Sequence, residues 1–277
     1  MGAVDRLLAR RSARAATVAA AAVLVLSLTG CGQRAEPTGA TIAVYPVTVT
    51  QADGSRFALQ HHPANVVADD PQAASLLSSL LGRRVQPTRK LEDAGLVVST
   101  PESLAPRSPA TYVAPDQSLD DVERALTGLG LLLDRPLRAR QLVRRLKDKR
   151  TLVADRLAGK QPATVFVDTG YYTTVSSTSL LGRLIAEAGG RDVAGAKPQA
   201  GPFSLRKLLR LDPDYYLATS DSGTRLADLR RDPHARRLRA IRRRNFAVIS
   251  SDAVLPGAQL GSTLAKLARI LHPDAFR

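Results

Sequence analysis

One amphipathic stretch, residues 136–159, does most to limit what this chain can become, because segments of alternating β and α character lie on both sides of it. Leu142, Val143, Leu146, Val153 and Leu157 share a face, Pro136 suits a first helical turn, and Gly159 suits a stop. At 1.5 Å per residue such a helix runs about 35 Å, the width of a small lobe. It can therefore join two bodies by itself. Before it, residues 44–50 and 57–59 are rich in β-branched and apolar residues around Asp53 and Gly54, the pattern of a hairpin. Short apolar runs at 65–68, 96–100 and 111–114 predict strands, and Pro71–Leu81, closed by Gly82, predicts a helix. Ser118, with Asp121 three residues on, starts another helix whose stripe is Leu119, Val122, Leu126, Leu129 and Leu133. After the long helix, Ala163–Asp168 predicts a buried parallel strand, and residues 180–188 a helix closed by Gly189 and Gly190. Leu205–Leu211 then leads into a strand at Tyr215–Thr219, residues 226–244 predict a basic helix, 246–250 a strand, and Leu260–Leu271 a last helix stopped by His272 and Pro273. This alternation predicts an α/β chain of two lobes.

The first thirty residues read differently. Arg6, Arg10, Arg11 and Arg14 precede an apolar run over residues 15–28, an export signal in form. The run of about 14 apolar residues is short of the ~20 that cross hydrocarbon. Leu28, Thr29, Gly30 and Cys31 end it as a lipobox: the thiol of Cys31 takes a diacylglyceryl group and the acyl chains hold the mature chain at the membrane. Residues 31–40 are polar and rich in turn formers, a tether. The predicted location is the cell membrane, lipid-anchored on the extracytoplasmic face.

Cys31 is the only cysteine, so no disulfide can support the mature fold and its stability must rest on core burial. Roughly 245 mature residues suffice for one large domain or two lobes. With no Trp and five Phe, that core is built of Leu, Val, Ala and Ile. The signal carries four Arg against one Asp, so its loss lowers the formal charge from +15 to +12, still strongly basic. Such a surface attracts anions, including phosphate head groups and acidic ligands. Nucleic acid is not an expected partner of an exported chain. Nine Arg against Asp228 and Asp232 mark residues 225–244, either a solvated face or a surface that steers anions or lies on anionic lipid. No Gly-x-Ser-x-Gly elbow, His-Glu-x-x-His or phosphate loop occurs, so the expectation is a non-enzyme without cofactor. His61 and His62, adjacent on an extended segment, face opposite ways and lack a third ligand, so no metal site is expected. His234 and His272, in surface turns, are assigned no role.

Several segments in order resemble the periplasmic-binding-protein family of ABC transporters for iron siderophores and vitamin B12. PVTVTQADGSRFALQHHPANVV is similar to the family's opening hairpin and first lobe strand, and SLLGRLIAEAGGRDVAG to a second-lobe helix with its Ala-Gly-Gly end. SLRKLLRLDPDYYLAT resembles its helix, Asp-Pro-Asp turn and strand. DPHARRLRAIRRRNFAVIS and LARILHPDAF resemble its basic turn and closing helix. The resemblance implies two Rossmann-like lobes joined by one long helix (the class III architecture), with an abbreviated first lobe. Its expected parts are a signal (1–30), a tether (31–40), an N-terminal lobe (41–135), the linking helix (136–159) and a C-terminal lobe (160–277). It further implies a monomer that holds a ferric siderophore, haem or corrinoid in the cleft and presents it to an ABC permease. A degenerate relative acting as a non-transporting envelope interaction or sensing protein is the alternative.

The cleft of open α/β sheets lies at the carboxyl ends of the strands. On that rule the ligand-binding candidates are Asp70 and Gln72 in the first lobe, and Tyr171, Tyr172, Thr173 and Asp252 in the second. The two tyrosines offer a flat apolar face and a hydroxyl, and strand alternation turns one of them inward. Tyr215 and Tyr216, inside a strand, are expected mostly in the core. The resemblance also places permease docking, where the family carries Glu, at Glu92 and at Arg206. Arg206 reverses the sign, and the helix expected before residue 96 has shrunk to Asp93, Ala94 and Gly95.

Overall fold

Residues 45–103, 110–195 and 202–277 are described by a computed structural model. The signal, Cys31 and the tether lie outside them. A hairpin comes first: β1 (Val47–Thr50) pairs antiparallel with β2 (Arg56–Leu59), with Val47 opposite Leu59. The turn is closed by Gly54 N–H donating to the Gln51 carbonyl, with Gly54 at φ 83°. Strands β3 (Val66–Ala68), β4 (Leu96–Ser99) and β5 (Thr111–Val113) form a three-stranded parallel sheet in that order. Two helices accompany it; the first begins and ends, and the second begins, where the capping residues predict. For α1 (Pro71–Leu81), the Asp70 carboxylate accepts from Ala73 N–H, and Gly82 turns left-handed at φ 69°. For α2 (Leu119–Leu132), the Ser118 side chain accepts from Asp121 N–H.

The long helix is α3 (Pro136–Leu157), 22 residues with Pro in its first turn. It ends two residues short of Gly159, whose φ of 75° supplies the left-handed exit. Beyond it, β6 (Ala163–Asp168), β7 (Gly190–Asp192), β8 (Tyr215–Thr219) and β9 (Phe246–Ile249) make a four-stranded parallel sheet in the order β7-β6-β8-β9. Helices α4 (Leu180–Glu187) and α8 (Leu260–Leu271) lie on one face of this sheet. The other face takes α5 (Leu205–Leu211), α6 (Leu226–Arg231) and α7 (Arg239–Arg242). Strand alternation sorts the core: Val165, Val167 and Leu217 join the α4 and α8 side, while Phe166, Tyr216 and Ala218 join the other. Tyr216 is fully buried and Tyr215 half-buried.

Two expectations needed correction. Residues 226–244 are not one helix. The chain leaves α6 at Asp232, extended at ψ 123° because Pro233 follows, and passes through a 3₁₀ turn at Ala235–Arg237 into α7. Asp232 caps that turn by accepting from the N–H groups of His234 and Ala235. Gly190 does not close α4 but opens the edge strand β7, paired with Ala163 of β6. A Cβ at Gly190 would stand 2.7 Å from Ile185 Cγ2 and 2.8 Å from Leu271 Cδ1, so a larger residue there would have to displace both side chains.

The two sheets do not have separate cores. A single apolar cluster runs from Val49 and Phe57 of the hairpin through Leu142, Leu146 and Val153 of α3 to Leu184 of α4 and Leu264 of α8. Polar ties reinforce it. Arg150 of α3 reaches Asp120 (2.6 Å) and Glu123 (2.9 Å) on α2 and Glu187 (3.0 Å) on α4. Ala258 N–H donates to Ser79 Oγ at 2.9 Å, and Gln259 Nε2 donates to Ser75 Oγ at 3.2 Å, joining the loop before α8 to α1. Among the described residues no helix is long and apolar enough to cross a membrane.

Candidate functional site between the lobes

The sheet order β7-β6-β8-β9 places a topological switch between β6 and β8, because the chain leaves β6 for one side and returns to the other. Loops diverge at such a point and leave a crevice beyond the carboxyl ends of the strands. A cavity of about 360 Å³ lies there. Its second-lobe wall includes Thr169 after β6, Thr219 and Asp221 at the end of β8, and Ser251 after β9. Its first-lobe wall is Gln72 at the start of α1, Glu102 after β4, and Asp116 and Gln117 after β5. Both parallel sheets thus point their carboxyl ends at one space. A larger depression of about 860 Å³, between His62 and Arg135, is walled by the first lobe alone. It is therefore a poorer candidate for a site whose function involves both lobes.

Two carboxylates define the chemistry of the first-lobe side. Asp116 is only 6% exposed, and one of its oxygens accepts from Gln117 Nε2 at 3.1 Å. Burial pushes its carboxyl up to about 6, and the charges of Glu102, Asp70 and Asp121 press the same way. Asp70 is also held above the ordinary carboxylate range, mainly by burial, with Asp69 adding to the effect. Its oxygens are already used: besides capping α1 it accepts from Thr100 N–H at 2.9 Å and Thr100 Oγ1 at 3.0 Å. Those bonds pin the loop after β4 to the start of α1. Asp70 lines a neighbouring depression of about 540 Å³, which shares Gln72 and Glu102 with the cavity.

The second-lobe loop after β6 is shaped by Asp168, buried at the strand end. It accepts from Gly170 N–H (2.9 Å), the Tyr216 hydroxyl (2.7 Å) and Thr224 Oγ1 (2.7 Å). The chain then turns through Gly170, Tyr171 and Tyr172, all at positive φ, and closes with Thr173 N–H donating to the Gly170 carbonyl. This left-handed turn, not strand alternation, separates the two rings. Tyr171 is 88% exposed, while Tyr172 is half-buried and packs on the cluster containing Phe166 and Phe203.

Of the six predicted ligand-binding residues, the structure brings Gln72 into the cavity wall. Tyr171, Tyr172 and Thr173 sit on the loop between two wall residues, Thr169 and Val175, without lining the cavity themselves. Asp252 is exposed beside Ser251, and Asp70 lies behind the wall. Sequence reasoning missed Glu102 and Asp116. The same carboxyl-end rule would have found them, since each stands three residues beyond its strand. Glu92 is exposed in a turn, and Arg206 is exposed in the first turn of α5. Among the described residues no group of three or more His, Cys, Asp or Glu is placed to hold a metal ion. His62 is exposed and meets Tyr45 edge to face.

A family model described as "Periplasmic binding protein" matches residues 86–253, from before β4 to beyond β9. The chain belongs to the periplasmic binding protein family. Solved periplasmic binding proteins have the same fold. CeuE of Helicobacter pylori, solved as a Ni-His complex, superposes with a TM-score of 0.69 at 12% identity over 83% of this chain and 89% of that one. The periplasmic heme-binding protein RhuT of Roseiflexus sp. RS-1 gives 0.64 at 16% identity, over 76% and 98%. The ABC-type Fe3+-hydroxamate transport protein of Saccharomonospora viridis gives 0.64 at 17% identity, over 82% and 99%. At these identities the likeness is one of fold. No curated protein matches the sequence. Among the described residues, this binding protein has two Rossmann-like lobes on one long helix, the first around a three-stranded parallel sheet and the second around a four-stranded one.

Proposed function

We propose that this periplasmic binding protein is an extracytoplasmic receptor, anchored by lipid at Cys31, that takes a small solute into the cavity between its lobes and presents it to an ABC permease. The observation that carries the reading is the cavity itself, walled by loops from the carboxyl ends of both parallel sheets. The expected solute is a ferric siderophore, with a corrinoid or haem as the other members of the class. Haem is the weakest of the three, since no Lys or Arg among the described wall residues meets its propionates. Gln72 contributes polar recognition, and the exposed ring of Tyr171, on the loop that lines the cavity, packs over the solute.

Native mass spectrometry of the full chain purified from its own host tests this, with an iron chelate or corrinoid expected to co-purify. Solute-free protein, together with no thermal shift from ferric siderophores, haem or cobalamin, would remove the receptor reading. Cys31→Ser should move the chain from the membrane to the soluble fraction. One observation favours a second reading. The exposed Arg206 stands where the family resemblance expects Glu for permease docking, which suits a chain that binds without delivering. Uptake of the bound solute by host cells with and without this chain separates the two. If the chain delivers to a permease with a complementary acid, Arg206→Glu should impair that uptake; if it is a non-transporting relative, deleting the chain should leave solute uptake unchanged.

A further inference from the structure

We infer that the solute held between the lobes is an organic cation, or a chelate bearing a cationic arm, whose positive charge meets the first-lobe wall. The inference rests on the receptor reading above and names the charge of its ligand. The chain is basic throughout, with 40 Lys and Arg against 25 Asp and Glu. The cavity reverses that sign. Glu102, Asp116 and Asp221 stand in its described wall with no Lys or Arg among the residues around them. Asp221 takes a hydrogen bond from Ser220 Oγ, Asp116 takes one from Gln117, and none of the three carboxylates has an ion-pair partner among the described residues.

Elsewhere this chain meets its buried acids with an ion pair or with several hydrogen bonds: Asp168 accepts from Gly170 N–H, Tyr216 and Thr224, and Asp70 from Ala73 N–H and Thr100. Glu123, as little exposed as Asp70, is met by both Arg150 and Lys147. Asp116 is buried more deeply and is met by no cation. Three groups of the same sign surround it: Glu102 on the β4 loop, Asp70 at the start of α1 and Asp121 in the first turn of α2. The last is itself paired with Arg124. The adjoining depression, which shares Gln72 and Glu102 with the cavity, has one basic residue in its described wall, Arg89. A carboxylate buried among carboxylates is unfavourable unless its counter-charge arrives from outside. A bare metal ion does not fit, because the acids are not clustered at ligating distance. An ammonium group does, since its three donors turn freely and need no more than one close oxygen.

The test is a charge series on one scaffold: a linear ferric trihydroxamate with a free amine arm, the same chelate with the amine acetylated, and the same with it succinylated. Calorimetry with the full chain in detergent at pH 7.5 should rank them cationic over neutral over anionic, with about tenfold or more between the first and last. In Asp116→Asn and Glu102→Gln that span should shrink to about threefold or less. In the wild type it should also shrink at pH 5, and in Asp116→Asn it should change little with pH. Equal affinity across the series, or preference for the succinylated form, overturns the inference and leaves the receptor reading in place. Binding of none of the three overturns it together with the siderophore assignment. A neutral or anionic solute co-purifying from the host overturns it independently.

Discussion

Asp116→Asn should stabilise the folded chain, and the gain should appear only toward neutral pH. The carboxyl sits near 3.8 in an ordinary setting and at about 6 in the fold, because it is buried among other acids. Between those values the native state keeps a proton that the unfolded chain releases, so the native state binds more protons and stability falls as pH rises through the window. Above about pH 6 the whole penalty is present. Below about pH 4 it is absent. A gap of about two pH units corresponds to about 3 kcal/mol, and the neutral amide, which can still accept from Gln117, removes it. For a domain of this size that is a rise of about 5–10 °C in melting temperature. Urea unfolding of wild type and variant at pH 7.5 and pH 4 measures it. An equal midpoint at pH 7.5, or a gain that persists undiminished at pH 4, would refute the argument that burial and neighbouring acids strain this group.

Other substitutions test the frame around the site. Arg150→Ala should destabilise by about 2–4 kcal/mol in urea unfolding, since it leaves Glu123 buried with only Lys147 beside it, at 3.4 Å. Asp70→Ala should lower stability by about 2–3 kcal/mol by the same measurement, because it removes the α1 cap and leaves the buried Thr100 N–H unmet. Tyr171→Ala should leave the melting temperature within about 1 °C, its ring being exposed, and weaken solute binding about tenfold in calorimetry. Unchanged affinity would exclude that ring from recognition.

Most elements of this binding protein were legible along the chain because their causes are local. Asp70 and Gly82 bound α1, Ser118 opens α2, Pro136 opens α3, and Ala163–Asp168 is too continuously apolar to be anything but a buried strand or a short buried helix. The Pro233 break was local too, and the basic run hid it. β7 was not legible: Gly190, Arg191 and Asp192 carry no strand pattern, and they pair only because β6 offers an open edge. The orientation of Tyr171 and Tyr172 likewise came from a turn held by Asp168 through Tyr216 and Thr224, about fifty residues away.

By itself the sequence determined the two-lobed α/β layout and the helix that spans it, since periodicity and capping act between neighbours. Only the tertiary structure decided that the lobes share one core, and that Glu102 and Asp116 meet Asp221 across one cavity. Glu102 and Asp116 each lie more than a hundred positions from Asp221, and their charges act on one space only once folding has brought the three loops around it.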